Sequence, residues 1–461
     1  MKPAAGLSIL VAAMLVSLAS LASLSPSRAL ADELPKDTNQ IESLTPEQAK
    51  TLLAEFKGQQ LDINGLTTLD ADTAKVLAEF NGEWLILDGL TTLDADTAKV
   101  LAEFKGERLD LDGLTTLDAA TAKVLAEFNG EWLVLDGLTT LDADTAKALA
   151  EFKGKGLVLD GLTTLDADTT KALAEFKGNY LSLNGLATLD AATAKALAEF
   201  KGQTLQLNGL TTLDADAVTV LAGSTVWNGQ LPKLTTLDAA TAKALAESKS
   251  EGLLLDGVTT LDAEAAKSLA EFKGQYLCLN GLTTLDAATA KVLAEFKTAG
   301  LLLDGLLTLD ADTAKPLAEF KGDLLSLSGL NTLDADTAKA LAEFKGQLLY
   351  LNGLTTLDAA TAKALAALDN WNGELSSIVA IESPDSVEIA AALATREGPL
   401  SLPSLTKISP KTLTALIEKE DVEIPLIETL ELIQEPDGSP TEDFVIPKGF
   451  QARQKARQQG R

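Results

Sequence analysis

One column of oxygen-bearing side chains recurs along the chain at intervals of 24 residues and includes four successive aspartates, Asp88, Asp112, Asp136 and Asp160. Carboxylate and amide oxygens are the ligands that Ca²⁺ prefers, so such a row is a candidate cation site. Each member precedes a glycine, and Asp-Gly or Asn-Gly is typical of a turn without any ion. Because a turn also explains the mixture of Asp with Asn, we predict no metal site here. The column consists of Asn64, Asp88, Asp112, Asp136, Asp160, Asn184, Asn208, Asp256, Asn280, Asp304 and Asn352.

Aromatic side chains fall in two further columns with the same spacing. These columns hold all three tyrosines and two of the four tryptophans. Aromatic residues anchor protein partners and also stack on sugars, so the columns are candidates for a binding surface. The alternative is that these positions have drifted without a functional constraint. The candidate ligand-binding residues are Trp84, Trp132, Tyr180, Tyr276, Tyr350 and Arg108.

The composition excludes most kinds of catalytic site. The 461 residues include no histidine and one cysteine, Cys278. His-based relays, cysteine zinc sites, iron–sulfur clusters and intramolecular disulfides are therefore excluded. Two carboxylates alone could hydrolyse a glycoside, but no pair stands out among the 67 acidic residues. We predict no enzymatic activity, no catalytic residue and no cofactor.

The chain is strongly acidic. It has 38 Lys and Arg against 67 Asp and Glu, which gives a formal net charge of −29. Binding to nucleic acid requires a basic surface, so we expect no nucleic-acid partner.

A strict 24-residue sequence repeat sets the spacing of these columns. The element LAEF, with variants, recurs every 24 residues from Leu53 to Leu365. Within one unit, Leu85 and Leu87 alternate with other residues as in a strand, and Asp94 then begins a stretch with helical spacing. We predict one short strand and roughly ten helical residues per unit, with Gly106 ending the helix. Stacked units form a solenoid, and the two columns that flank the first strand leucine face outward on its inner curve, so that Cys278 is expected to be exposed.

These units resemble the leucine-rich repeat. LxLxGLTTLDAxTAKALAEF is similar to its helix-bearing type, LxLxGCxxITDxGLxxLAxx, and most similar to the 24-residue repeats of secreted Planctomycetes-type bacterial proteins. The resemblance runs from about Ile41 to Ile433. It implies an α/β solenoid, a horseshoe with a parallel sheet on the concave face and short helices on the convex face, whose common property is binding. Leu replaces the Cys or Asn that usually closes the turn, so the hydrogen-bond ladder of that side chain is expected to be missing.

The N-terminus resembles a secretory signal peptide. Lys2 precedes an apolar run, and Ala29-Leu30-Ala31 forms an A-x-A cleavage site. We predict cleavage after Ala31 and export to the periplasm, the cell surface or the extracellular space, with no membrane span in the mature chain. The alternative is an uncleaved membrane anchor.

The regular array is flanked by segments that deviate from the repeat unit. We predict an N-terminal cap over 32–52, with Thr45 as helix N-cap, and a regular array over 53–372. Pro232 interrupts the array and should weaken strand pairing there. Diverged repeats and a C-terminal cap follow over 373–433, and the basic tail over 434–461 is expected to be disordered.

Two functions fit these features. The first is a secreted or cell-surface scaffold that binds a protein, peptide or glycan through its concave face. The second is a structural component of an envelope or surface layer in which the array is a spacer. Aromatic residues on one face favour the first, and near-identical units favour the second.

Overall fold

Successive units of the chain stack into an α/β solenoid, with parallel strands on the concave face and short helices on the convex face. The structure is a computed structural model that describes residues 34–436, 438 and 446–459. The predicted signal peptide, residues 1–31, lies outside these residues. Within them, no helix has the length and apolar character needed to cross a bilayer.

Strands and helices alternate along the array. The strands are β1 Gln60–Asp62, β2 Trp84–Ile86, β3 Arg108–Asp110, β4 Trp132–Val134, β5 Gly156–Val158, β6 Tyr180–Ser182, β7 Thr204–Gln206, β8 Gly252–Leu254, β9 Tyr276–Cys278, β10 Gly300–Leu302, β11 Leu324–Ser326, β12 Leu348–Tyr350, β13 Ala380–Ile381, β14 Leu400–Ser401, β15 Lys407–Ile408, β16 Val422–Glu423 and β17 Glu431–Leu432. The helices are α1 Pro46–Glu55, α2 Ala71–Leu77, α3 Ala95–Leu101, α4 Ala119–Leu125, α5 Ala143–Leu149, α6 Ala167–Ala174, α7 Ala191–Leu197, α8 Ala215–Gly223, α9 Ala239–Ala246, α10 Ala263–Leu269, α11 Ala287–Leu293, α12 Ala311–Leu317, α13 Ala335–Leu341, α14 Ala359–Ala366, α15 Ser386–Ala394, α16 Pro410–Ile417 and α17 Lys448–Gln459.

Two parallel sheets line the concave face. Strands β1 to β7 form the first sheet and β8 to β12 form the second sheet. Neighbouring strands pair in a 24-residue register, so that Leu61 lies beside Leu85 and Leu301 beside Leu325. This register brings equivalent residues of successive units into straight columns across each sheet. Beyond the second sheet, β13, β15 and β17 form one small parallel sheet, and β14 and β16 form another.

An aspartate precedes each regular helix and caps its N-terminus. Asp94 accepts the amide of Thr97 through Oδ1 at 2.8 Å, which confirms the predicted N-cap. The regular helices are shorter than expected. Helix α3, for example, has seven residues rather than ten. A compact helix suffices, since Ala98 and Leu101 already reach the core and are fully buried.

Two glycines in each unit allow close packing between units. Gly106 lies beyond the end of α3 and does not cap it, contrary to the sequence prediction. A Cβ at Gly106 would overlap the ring of Phe104, and one at Gly89 would overlap the carbonyl oxygen of Asn64 in the preceding unit. Neither glycine has a positive φ. Gly89 lies in the turn closed by the hydrogen bond from the Leu90 amide to the Leu87 carbonyl, and the repeated glycines also give room to neighbouring atoms.

A column of phenylalanines runs through the core beside the helices. The rings from Phe80 to Phe200 stack with centroids 6.1–6.3 Å apart and interplanar angles of 1–7°. Neighbouring strands lie only about 4.8 Å apart. Each unit is therefore wider on the helix side than at the sheet, which bends the solenoid so that the sheet lies inside the curve.

The units that contain Trp227 and Trp371 interrupt the sheets. Leu205 pairs with Trp227 and Leu349 with Trp371, in each case 22 residues apart instead of 24. The glycines that follow, Gly229 and Gly373, both have a φ of 75°. Isolated bridges replace a strand around Pro232, as the sequence predicts. Both tryptophans fill core positions, with 3% and 1% of their surface exposed.

The two ends of the array are closed by different elements. Thr45 caps α1 in a capping box with Gln48, as predicted. At the other end, residues 448–459 form the helix α17, whereas the composition predicted a disordered tail. Helix α17 docks on the cap through Gln454, which accepts the amide of Ile427 at 3.2 Å, and through Phe450, which is buried.

Candidate ligand-binding surface

The candidate binding residues lie on the concave face in two separate groups. Trp84, Arg108, Trp132 and Tyr180 form the first strand position of β2, β3, β4 and β6, and the sheet register places them in one column. Tyr276 and Tyr350 lie on β9 and β12 of the second sheet. The structure therefore brings four of the six candidates together.

Trp84 and Arg108 form the first contact within the column. The guanidinium carbon of Arg108 lies 5.4 Å from the centroid of the Trp84 ring. Arg108 Nε donates to both carboxylate oxygens of Asp110, at 2.7 and 3.0 Å. Asp110 is 3% exposed, and burial raises its pKa while the Arg108 guanidinium opposes that rise. The result is a cation held between an aromatic ring and a buried carboxylate.

Trp132 and Tyr180 form the second contact. Their ring centroids lie 5.2 Å apart with the planes at 66°, although the two strands are separated by β5. Gly156 on β5 makes this contact possible, because a Cβ there would overlap the Trp132 ring. Burial raises the pKa of the Tyr180 hydroxyl.

Hydrogen bonds support the Tyr180 end of this column. Ser182 donates to Asp160 Oδ1 at 2.6 Å, and Asn184 Nδ2 donates to Asp160 Oδ2 at 3.0 Å and to Ser182 at 2.8 Å. These bonds fix Ser182, which is also a side-chain hydrogen-bond partner of Tyr180.

The second sheet has a largely apolar concave surface. Tyr276 lies over Gly300, where a Cβ would stand 2.7 Å from its ring, and is 43% exposed. Leu348 is 40% exposed on β12, beside Leu324 on β11. Tyr350 is half-buried at the other end of β12.

The second column, between the strand leucines, is less exposed than predicted. Cys278 is 9% exposed, so the prediction of an exposed thiol is wrong. Val134 and Ser182, at equivalent positions, are 2% and 1% exposed. Neighbouring side chains crowd one another on an inward-curving sheet and cover this column. Burial and the nearby Asp256 and Asp304 raise the pKa of the Cys278 thiol to about 11.

The Asp and Asn column forms a hydrogen-bond ladder along the edge of each sheet. From Asp88 to Asn208, each backbone amide donates to side-chain Oδ1 of the preceding unit at 2.7–3.2 Å. In the second sheet the ladder continues through Asn280, Asp304 and Ser328. The leucine after the turn glycine makes no side-chain hydrogen bond, as expected, but the residue before that glycine forms a ladder of its own, which the sequence did not predict. Asp and Asn both supply Oδ1, which explains why they alternate.

The ladder places carboxylates close together in the first sheet. Burial raises the pKa of Asp88, Asp112 and Asp136, in the case of Asp112 to about 7. The charges of Asp136, Asp88 and Asp110 add to the rise at Asp112, while the amide of Asp136 opposes it. Among the described residues, no group of three or more His, Cys, Asp or Glu is arranged to hold a metal ion.

Several residues of this surface escaped sequence reasoning. The sequence pattern singled out neither Gly156 nor Gly300, although each makes room for a ring. Asp110 appeared as one member of a variable column, although it orients Arg108. A glycine in the strand next to one that carries an aromatic residue is the sequence signal that could have identified Gly156 and Gly300.

Comparison with known proteins identifies the fold. No protein-family model and no curated protein matches the sequence. Among solved structures, the chain is similar to the mouse RP105/MD-1 complex, with 15% identity over 80% of this chain and 66% of that chain and a TM-score of 0.51. It also matches the TLR13–ssRNA13 complex, with 18% identity over 82% of this chain and 62% of that one and a TM-score of 0.40. The Drosophila Toll–Spatzle complex matches with 15% identity over 82% of this chain and 49% of that one, with a TM-score of 0.37.

The chain has the leucine-rich-repeat fold. It spans about two thirds or less of the length of these solved chains. At 15% identity the likeness to RP105 concerns the fold alone.

Proposed function

We propose that this chain is an exported binding scaffold that recognises a protein, peptide or glycan through the concave face of the first sheet. The observation that carries the proposal is that four candidate residues lie in one column and form two contacts. Arg108 lies over Trp84, and Trp132 reaches Tyr180 across Gly156. Preformed aromatic surface binds at low entropic cost, since few rotamers remain to be fixed.

The repeat pattern supports the same assignment. The leucine, phenylalanine and glycine positions recur almost unchanged, whereas the outward strand positions differ from unit to unit. Variation on the concave surface of a nearly constant scaffold is what a binding site requires. Export rests on the sequence of residues 1–31.

The test is a binding screen of the purified chain against peptide and glycan arrays. The variant Trp84→Ala/Trp132→Ala/Tyr180→Ala should lose the strongest signals while keeping its melting temperature within a few degrees. An unchanged binding profile would remove the proposal.

The second candidate is a structural component of an envelope or surface layer. The near-identity of the units favours it, since a spacer needs no unique site. Light scattering and electron microscopy of the purified chain separate the two: ordered polymers support the structural function, and a curved monomer supports the binding scaffold.

A further inference from the structure

We propose that the concave surface of the first sheet binds an extended polypeptide segment carrying lysine or arginine side chains, which lies across the strands from Trp84 to Tyr180. The inference rests on the proposed function and specifies the chemistry of its ligand.

Carboxylates border the aromatic column on both sides. The exposed residues Glu83 and Glu107, with the half-buried Glu131, precede the strands, and the ladder aspartates follow them. The seven strand segments with their flanking residues carry nine carboxylates and two basic groups, Arg108 and Lys155, each already paired with a carboxylate. The nine are Asp62, Glu83, Asp88, Glu107, Asp110, Asp112, Glu131, Asp136 and Asp160.

The negative charge of these carboxylates is only partly compensated. Asp62 Oδ1 is buried without a hydrogen-bond partner at the start of the sheet. Asp112 faces Asp88, Asp110 and Asp136, with Arg108 as a nearby cation, and its pKa is raised mainly by burial and further by the charges of these three carboxylates. An approaching cation relieves that repulsion, whereas a neutral sugar leaves it in place.

The contact of Arg108 displays the recognition geometry within the molecule. Its guanidinium lies over the Trp84 ring while Nε bonds to both oxygens of Asp110. An aromatic face beside a carboxylate suits a guanidinium or ammonium group. Trp132 and Tyr180 present a second aromatic pair next to Asp136 and Asp160, whose charges are felt at Tyr180.

The surface matches the length of a short extended segment. Trp84 and Tyr180 are four strands apart in the register, which corresponds to about 19 Å at a strand spacing of about 4.8 Å. An extended peptide covers this distance with about six residues at about 3.3 Å each.

The test uses the full chain and a fluorescein-labelled peptide of alternating arginine and glycine, ten residues long, in an anisotropy titration. The matched probe replaces each arginine with citrulline, which keeps the shape and removes the charge. We expect the arginine peptide to bind at least tenfold more tightly than the citrulline peptide. Equal affinity for both probes would overturn the proposal.

Matched variants separate this surface from general attraction to an acidic protein. Asp112→Asn/Asp136→Asn keeps both Oδ1 acceptors of the ladder and should weaken binding at least tenfold. Asp256→Asn/Asp304→Asn makes the same change in the second sheet and should alter affinity by less than twofold. Equal losses in the two variants would contradict a site on the first sheet.

The pH dependence gives an independent readout. A bound cation favours the ionised form of Asp112, so affinity for the arginine peptide should rise by up to about tenfold from pH 6 to pH 8. Asp112→Asn should flatten this profile. A flat profile in the unmodified chain would contradict involvement of the ladder carboxylates.

Two further arms identify other outcomes. A peptide of residues 446–461 tests whether the basic C-terminus of a second copy is the ligand. Tight binding of this peptide, together with concentration-dependent polymers of the full chain, would show that the surface binds another copy of the chain and would overturn a foreign partner. Failure of both cationic probes, with Trp132-dependent signals from a neutral peptide or a glycan, overturns the cationic ligand and leaves the binding scaffold intact. No signal from any array or probe overturns both.

Discussion

The first and second sheets share one scaffold but present different surfaces to solvent. In both, fully buried leucines fill the core and the ladder runs along the edge. The concave face of the first sheet combines aromatic rings with charged groups, as in the Trp84, Arg108 and Asp110 contact. The second sheet instead presents Tyr276 and Leu348 on a surface without a basic side chain in its strands.

This difference separates positions that determine the fold from positions that determine recognition. We call the repeated leucine, phenylalanine, glycine and cap aspartate positions the frame. Changes in the frame should have similar effects in the two sheets, because its residues occupy the same buried or capping positions in both. Changes on the concave face should have unequal effects, because only the first sheet has the charged aromatic column.

Removing a core ring should have the largest effect and should be equal in the two sheets. Phe128→Ala deletes a buried ring that stacks on Phe104 and Phe152, and Phe320→Ala deletes an equally buried ring that stacks on Phe344. We expect each to lower the free energy of unfolding by about 3–5 kcal/mol, measured by urea denaturation. A cost confined to one variant would show that the two scaffolds are not equivalent.

Filling the concave glycines should separate stability from binding. Gly156→Ala pushes against the Trp132 ring and Gly300→Ala against the Tyr276 ring. Each should cost about 1–3 kcal/mol of stability, but only Gly156→Ala should reduce binding in the array screen. Gly223→Ala is the control, since its Cβ meets open space, and loss of stability in that variant would discredit the argument from overlap.

Neutralising one ladder carboxylate should change the pH dependence of stability. The folded-state pKa of Asp112, about 7, lies above its ordinary value of 3.8. The folded chain therefore binds the proton more tightly, and stability falls as pH rises from about 4 to about 7. Asp112→Asn keeps the acceptor and removes this loss, so we expect its melting temperature to exceed that of the unmodified chain by about 1–3 °C at pH 8 and to equal it at pH 4.

Asp304→Asn is the matched control in the second sheet. Asp304 has Asn280 and Ser328 as ladder neighbours, so no adjacent ladder carboxylate repels it. The same gain at pH 8 in both variants would contradict the crowding of charge in the first sheet.

The helix caps should have the smallest effect, again equal in the two sheets. Hydrogen bonds from threonine amides lower the pKa of Asp142 and Asp334. Their stabilisation is therefore present above about pH 4 and lost as pH falls below it. Asp142→Asn and Asp334→Asn keep a capping side chain, and each should change the melting temperature at pH 7 by less than about 1 °C. A markedly unequal change would place one cap outside the frame.

The fold was largely predictable from the sequence because the frame repeats. The period fixed the strand leucines, the cap at Asp94 and the solenoid itself. The roles of Gly89 and Gly106 were not predictable, since they depend on atoms of a preceding unit or of a folded-back ring. The ladder was missed for the same reason: its amide and its oxygen belong to different units.

The candidate surface was predictable in composition but not in its contacts. The columns identified Trp84, Arg108, Trp132 and Tyr180 as neighbours. Their pairing depends on side-chain direction, and the burial of Cys278 depends on crowding across an inward curve. Neither quantity is encoded in the spacing alone.

Amide hydrogen exchange of the full chain tests the central claim most directly. It should be measured with and without the tightest-binding member of the peptide and glycan arrays. We predict slower exchange upon binding in segments that contain β2 to β6 and unchanged exchange in those that contain β9 to β12. Protection centred on the second sheet, or on the convex helices, would contradict the assignment of the ligand surface to the first sheet.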